Sequence, residues 1–103
     1  MVVVSVMYPG ASGESFDHAY YTGTHMPLVR ERWGDMGLRG VRLLRGTQGP
    51  DGAKPTYNMM ALLDFESMEA FQAAAARHGA ELFGDIPNFT DAKPAVQFNT
   101  DAA

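Results

Sequence analysis

Asp17, Tyr21 and His25 follow one another at intervals of four in the stretch FDHAYYTGTHMPLV, Phe16 to Val29. On a continuous helix residues four apart share a side, so a carboxylate, a phenol and an imidazole would come within reach of one another. Such a set suits proton transfer. The imidazole titrates near neutrality, and a neighbouring carboxylate or phenol can fix which ring nitrogen carries the hydrogen. His25 is the candidate general acid or base, with Tyr21 or Asp17 to orient it. The structural alternative is that His25 satisfies backbone groups at a bend while Tyr20 and Tyr21 pack in the core.

The bend itself is written in the chain. Pro27 has no amide hydrogen and its ring crowds the carbonyl of Gly23, so an uninterrupted α-helix should kink there. We expect a helix capped by Ser15, with Asp17 in its first turn, to fray near Gly23. Thr24 would then cap a second segment that carries His25, Met26 and Pro27 in its first turn and runs to Trp33 or Gly34. At a helix start the positive end of the dipole disfavours imidazolium, which would keep His25 a neutral base.

A second informative stretch is LFGDIPNFTDAKP. Pro87 stiffens it and Phe89 needs somewhere to bury its ring, so the loop can form one wall of a pocket with Asn88 or Asp85 facing His25. The simpler role for Asp85 is packing between the helix and the last strand. Tyr20, Trp33, Met59, Asn88 and Phe89 are the candidate lining residues for an apolar substrate. His18 reads as a surface residue of the first helix, and His78 as one of the last turn of the second.

Other chemistries are disfavoured. There is no cysteine, hence no disulfide, thiolate nucleophile or cysteine metal site. No histidine and carboxylate set has metal-ligand spacing, and GASGES lacks both the P-loop lysine and the full dinucleotide pattern, so no metal and no cofactor are expected. The net charge of −4 argues against a nucleic-acid partner. Arg39, Arg42 and Arg45 cannot share one face of a strand and read as a solvated, salt-bridged edge. The apolar start MVVVSVMYP is too short for a leader or a membrane span, which makes a cytoplasmic protein the expectation.

The elements that must position these residues follow from periodicity. Val2 to Tyr8 is rich in β-branched residues and stops at YPGASG, as a strand entering a loop would. LRGVRLLRGTQ and TYNMMALLDFE read as two strands joined by the turn-rich GPDGAKP. Ser67 caps a helix whose Met68, Phe71, Ala75 and Leu82 recur at helical spacing and which should end near His78 and Gly79. AVQFN is a last short strand. The order is β-α-β-β-α-β, the α+β pattern of ferredoxin-like folds, in one domain of 103 residues with helices on one face of an antiparallel sheet. The third strand is apolar on both sides: Tyr57, Met59, Ala61, Leu63 and Phe65 on one, Met60 and Leu62 on the other. A second copy packed on the open face would cover it, so a homodimer is expected.

FDHAYYTGTHMPLV and DIPNFTDAKPAVQ, taken together with the element order, resemble the EthD family of dimeric α+β barrel proteins across nearly the whole chain. The resemblance implies a ferredoxin-like dimer with an apolar cavity between sheet and helices in each subunit. It places the family's motif histidine on His25 and its tyrosine pair on Tyr20 and Tyr21. The family takes its name from a protein required beside a cytochrome monooxygenase system for ether degradation, which implies a functional link to an oxygenase system. The wider superfamily includes muconolactone-type isomerases, cofactor-free and haem-dependent monooxygenases, polyketide cyclases and dehydratases. The expectation is a small cofactor-independent enzyme that moves protons on an apolar cyclic or aromatic metabolite. The alternatives are a ligand-binding accessory protein or a cofactor-free monooxygenase.

Overall fold

Strand β1 (Val2–Pro9) sends alternate residues to two faces: Val4, Val6 and Tyr8 are buried, while Val3 and Met7 are half-buried. The computed structural model describes residues 1–103 and places β1 inside a four-stranded antiparallel sheet. With β2 (Leu38–Arg45), β3 (Tyr57–Phe65) and β4 (Ala95–Asn99), the spatial order is β2-β3-β1-β4. That order, with helical crossovers after β1 and β3, is the ferredoxin-like α+β architecture expected from the element sequence.

Register explains the two faces. Val6 lies opposite Ala61 and Val4 opposite Leu63, while Leu43 and Val41 face the same two β3 residues from the other side. This row, with Met59 and Phe65, is the floor on which the helices pack. Phe65 is fully buried against Trp33 and Phe71, with ring centroids 5.6 and 5.3 Å away, and its burial contributes roughly 1.5–3 kcal/mol. On the opposite face Met7, Met60 and Leu44 lie side by side across three strands, next to Leu62. Strand β2 is an edge, and its Arg39, Arg42 and Arg45 are exposed, with Arg39 paired to Glu66.

The first helical run is not broken as the sequence predicts. It begins at α1 (His18–Tyr20), continues through a π-helical turn (Tyr21–His25) and becomes α2 (Met26–Trp33) without leaving helical dihedrals. The Met26 amide donates to the Tyr21 carbonyl, five residues back. This widened turn lets the chain accept a proline that cannot donate, and π turns of this kind are a known answer to such strain. The cap is Asp17, whose Oδ1 accepts from the Tyr20 amide at 3.0 Å, and not Ser15, whose own amide is held by Asp91. Thr24 lies inside the π turn and caps nothing. His25 therefore follows a helical segment instead of starting one, and the expected helix-start dipole does not act on it.

Helix α3 (Met68–Gly84) starts where expected, with the Ser67 hydroxyl accepting from the Ala70 amide at 3.1 Å. It runs a turn and more beyond the expected end. Gly79 is buried and Leu82 continues the apolar stripe into the core, so packing outweighs the roughly 1 kcal/mol helix penalty of glycine, and His78 is mid-helix. A single 3₁₀ turn (Ile86–Asn88) follows, and the Asp17 amide donates to the Phe89 carbonyl at 2.7 Å. That bond ties the start of α1 to the loop before β4. No helix is long and apolar enough to cross a membrane.

Candidate functional site

The tie between Asp17 and Phe89 brings the π turn against the end of α3. His25 is 5% exposed, and its ring lies between Tyr21, nearly parallel at 5.5 Å, and Phe89, tilted at 4.6 Å. Its Nδ1 is 2.9 Å from Oδ2 of Asp85, the C-cap residue of α3. The other oxygen of Asp85 accepts from the Tyr20 hydroxyl at 2.7 Å and from the side-chain amide of Asn88 at 2.9 Å. Burial alone would raise the Asp85 pKa, but the bonds from Asn88, Tyr20 and His25 outweigh it and hold the carboxyl below its usual range. An ionised carboxylate only accepts, so Nδ1 is the hydrogen-bearing nitrogen of neutral His25 and Nε2 keeps its lone pair. The same carboxylate raises the Tyr20 phenol above its usual pKa, chiefly through their hydrogen bond.

Nε2 has no protein partner, and His25 is the one residue that is neither apolar nor aromatic hydrocarbon or phenol among those lining a narrow cavity between sheet and helices. Its walls include Val6, Tyr8, Tyr21, Trp33 and Leu63, and its free volume is ≈ 30 Å³. Phe83 and Val96, 40% and 43% exposed, stand at its rim between α3 and β4. The arrangement is an imidazole oriented from behind by a carboxylate and offering one basic nitrogen to an apolar space.

The candidate residues divide among different positions. Tyr21 and Trp33 line the cavity with His25, and Trp33 also donates its Nε1 hydrogen to the Ala74 carbonyl at 3.0 Å. Tyr20 and Asn88 meet His25 only through Asp85. Phe89 packs on the imidazole and, with Asn88 and Asp17, borders an outer cleft. Asp17 has its Oδ1 on the Tyr20 amide, and the carboxylate on the imidazole is that of Asp85. Met59 is buried in the β3 floor and borders a groove with His18 and Arg45, away from His25. Asp85 lies 60 residues from His25 in the chain, so no local spacing could have joined them; the one signal was its position in the proline-stiffened loop.

The EthD domain model matches residues 9–93. The chain is similar to an EthD-like protein from Ralstonia eutropha JMP134, with 40% identity and a TM-score of 0.90 over 99% of this chain and 92% of that one. An ethyl tert-butyl ether D (EthD) family protein from Bacillus halodurans C-125 shares 22% identity over 98% of each chain, with a TM-score of 0.78. SnoaB, a cofactor-independent oxygenase from Streptomyces nogalater, shares the fold at 12% identity, with a TM-score of 0.69 over 99% of this chain and 93% of that one. No curated protein matches the chain.

Proposed function

The chain belongs to the EthD family, and on that premise we propose that it is a small cofactor-independent enzyme. It would bind an apolar cyclic or aromatic metabolite in the cavity beside His25 and catalyse proton transfer on it. The observation that carries this reading is the pairing of His25 Nδ1 with Asp85 at 2.9 Å, which leaves Nε2 for the cavity. Nε2 takes a proton from an acidic C–H or O–H of the substrate, Asp85 stabilises the imidazolium that forms, and the proton returns at a second position or leaves with a departing group. Isomerisation, cyclisation, dehydration and lyase cleavage share this step. Tyr20 and Asn88 act one place further back, by holding Asp85. Asp17 supports the site through the cap of α1, and Tyr21, Trp33 and Phe89 shape the space around the imidazole.

The same base would serve a cofactor-free oxygenation, in which deprotonating a phenol yields an anion electron-rich enough to meet oxygen; likeness of fold to SnoaB favours keeping this second reading. In either case the enzyme works as a homodimer, with the Met7, Leu44, Met60 and Leu62 strip of one copy packed on that of another. The experiment is to extract the small molecule that co-purifies from the native host and return it to the protein. Consumption by the wild type and none by His25→Ala is the expected result, and oxygen uptake separates the two chemistries. Equal consumption by both proteins would overturn the acid–base role.

A further inference from the structure

The cavity has a second polar group that the proton-transfer reading does not use. Tyr8 is 2% exposed and lines the same cavity as His25. It is the last residue of β1 before the register shift at Pro9, a kind of irregularity that re-aims neighbouring side chains. Its ring meets Tyr21 edge to face at 5.6 Å, and Tyr21 stacks on His25 at 5.5 Å, so the three rings form a row along one wall. Burial pushes both phenols far above their usual range, so both keep their hydrogens at any physiological pH. The Tyr8 hydroxyl is thus a neutral phenol on a wall otherwise lined by apolar side chains, Tyr21 and His25. A hydroxyl is a hydrogen-bond donor, and in a lining this apolar a donor left unfilled is costly.

Nothing else in the cavity carries charge apart from what His25 can acquire. A carboxylate ligand would be desolvated there without a counter-cation, and a hydrocarbon would leave the donor unfilled. We infer that the Tyr8 hydroxyl donates to a carbonyl oxygen of the ligand, so that the cavity selects neutral ketones with an enolisable C–H beside the carbonyl. The inference rests on the acid–base reading of His25 and narrows its substrate class. Nε2 removes a proton from the carbon beside the carbonyl. The C–H electron pair becomes the new C=C bond, and the carbonyl π pair moves to oxygen, where Tyr8 holds it. Return of the proton to another carbon of the enolate system completes an isomerisation with no external electron donor or acceptor.

Cyclohexanone and methylenecyclohexane have the same ring and differ at one position, oxygen against CH₂, and binding of each is followed by the fluorescence of Trp33. The quantity read is the ratio of the two affinities in the wild type and in Tyr8→Phe, a change that keeps the ring. We expect the ratio to move about 5–10-fold toward the hydrocarbon when the hydroxyl is removed, the size of one neutral hydrogen bond. An unchanged ratio overturns the Tyr8 assignment and leaves the His25 reading standing. Binding of neither compound to the wild type overturns the assignment together with the cavity reading beneath it.

Discussion

Nδ1 of His25 lies 2.9 Å from Oδ2 of Asp85, across 60 residues of chain, and this pair fixes the imidazole's tautomer. Ionised Asp85 offers no hydrogen, so the neutral ring must place its own on Nδ1. Nitrogen-15 NMR of His25 should therefore show a protonated Nδ1 and an unprotonated Nε2 in the wild type. In Asp85→Ala the preference should fade toward a mixture. A wild-type ring with its hydrogen on Nε2 would sink the orientation argument.

Asp85 also gives the fold a defined acid limb. Its folded-state pKa is depressed below the ordinary 3.8, because the bonds it accepts outweigh its burial. As pH falls through that region the unfolded chain takes up the proton first, so the stabilisation present above 3.8 is lost progressively below it. Urea midpoints measured from pH 6 downward should fall less steeply in Asp85→Asn, which has no carboxyl at this position to titrate. Identical slopes would mean that other carboxylates carry the acid sensitivity.

The strands, their order and His25 as a candidate were legible because they depend on local periodicity and on types of residue. The path of the chain through Gly23 to Pro27 was not. Proline announces that an α-helix must yield, but whether it yields by breaking or by widening depends on what packs around it. Here Tyr21, His25 and Met26 are all buried on the inner side and keep the run helical. The length of α3 was missed at Gly79, read as a stop although Leu82 keeps the helical spacing, since the burial that holds this glycine inside the helix belongs to tertiary packing. Asp85 was offered beside Asn88 as facing His25 but ranked below a packing role, because no local spacing links residues 60 apart, and Tyr8 was hidden by its place in a run of strand residues whose inward side reads only as core.

Gly23 offers a check on the π turn. A methyl group added there would meet nothing within 4 Å, and its backbone has no positive φ, so nothing in the folded state requires glycine. Gly23→Ala should stabilise the protein by about 0.4–1 kcal/mol by restricting the unfolded chain. Thermal unfolding reads this as a higher midpoint. A lower midpoint would show that the turn needs the freedom of glycine.

The open sheet face bears on assembly. Leu62 lies opposite Ser5 and Arg42 on that face, beside the Met7, Met60 and Leu44 row. Sedimentation should find the wild type at twice the mass of one chain. Leu62→Lys would bury a charge in the expected interface and should run as a single chain with unchanged circular dichroism. A wild type that sediments as a monomer would remove the homodimer from the functional reading.

Access to the cavity should depend on Phe83, which stands 40% exposed at its rim, while Trp33, 3% exposed, lines its interior. The free volume of ≈ 30 Å³ is far below the roughly 300–1,000 Å³ of sites that hold drug-sized ligands, so a substrate must displace something to enter. Phe83 is the cheapest group to move, because much of its ring is already in water and its neighbour one turn back is Gly79, whose missing side chain leaves the ring only loosely supported. Phe83→Ala should therefore cost well under the roughly 3–5 kcal/mol of truncating a buried phenylalanine. It should also raise acrylamide quenching of Trp33. The emission maximum should hold, since the Nε1 bond to Ala74 is untouched. Phe98→Ala is the control: it removes a ring 49% exposed on β4 that packs on Phe71 but does not line the cavity, and it should leave quenching near the wild-type level. Equal quenching in wild type and Phe83→Ala would place the entrance elsewhere along the rim, with Val96 the next position to vary.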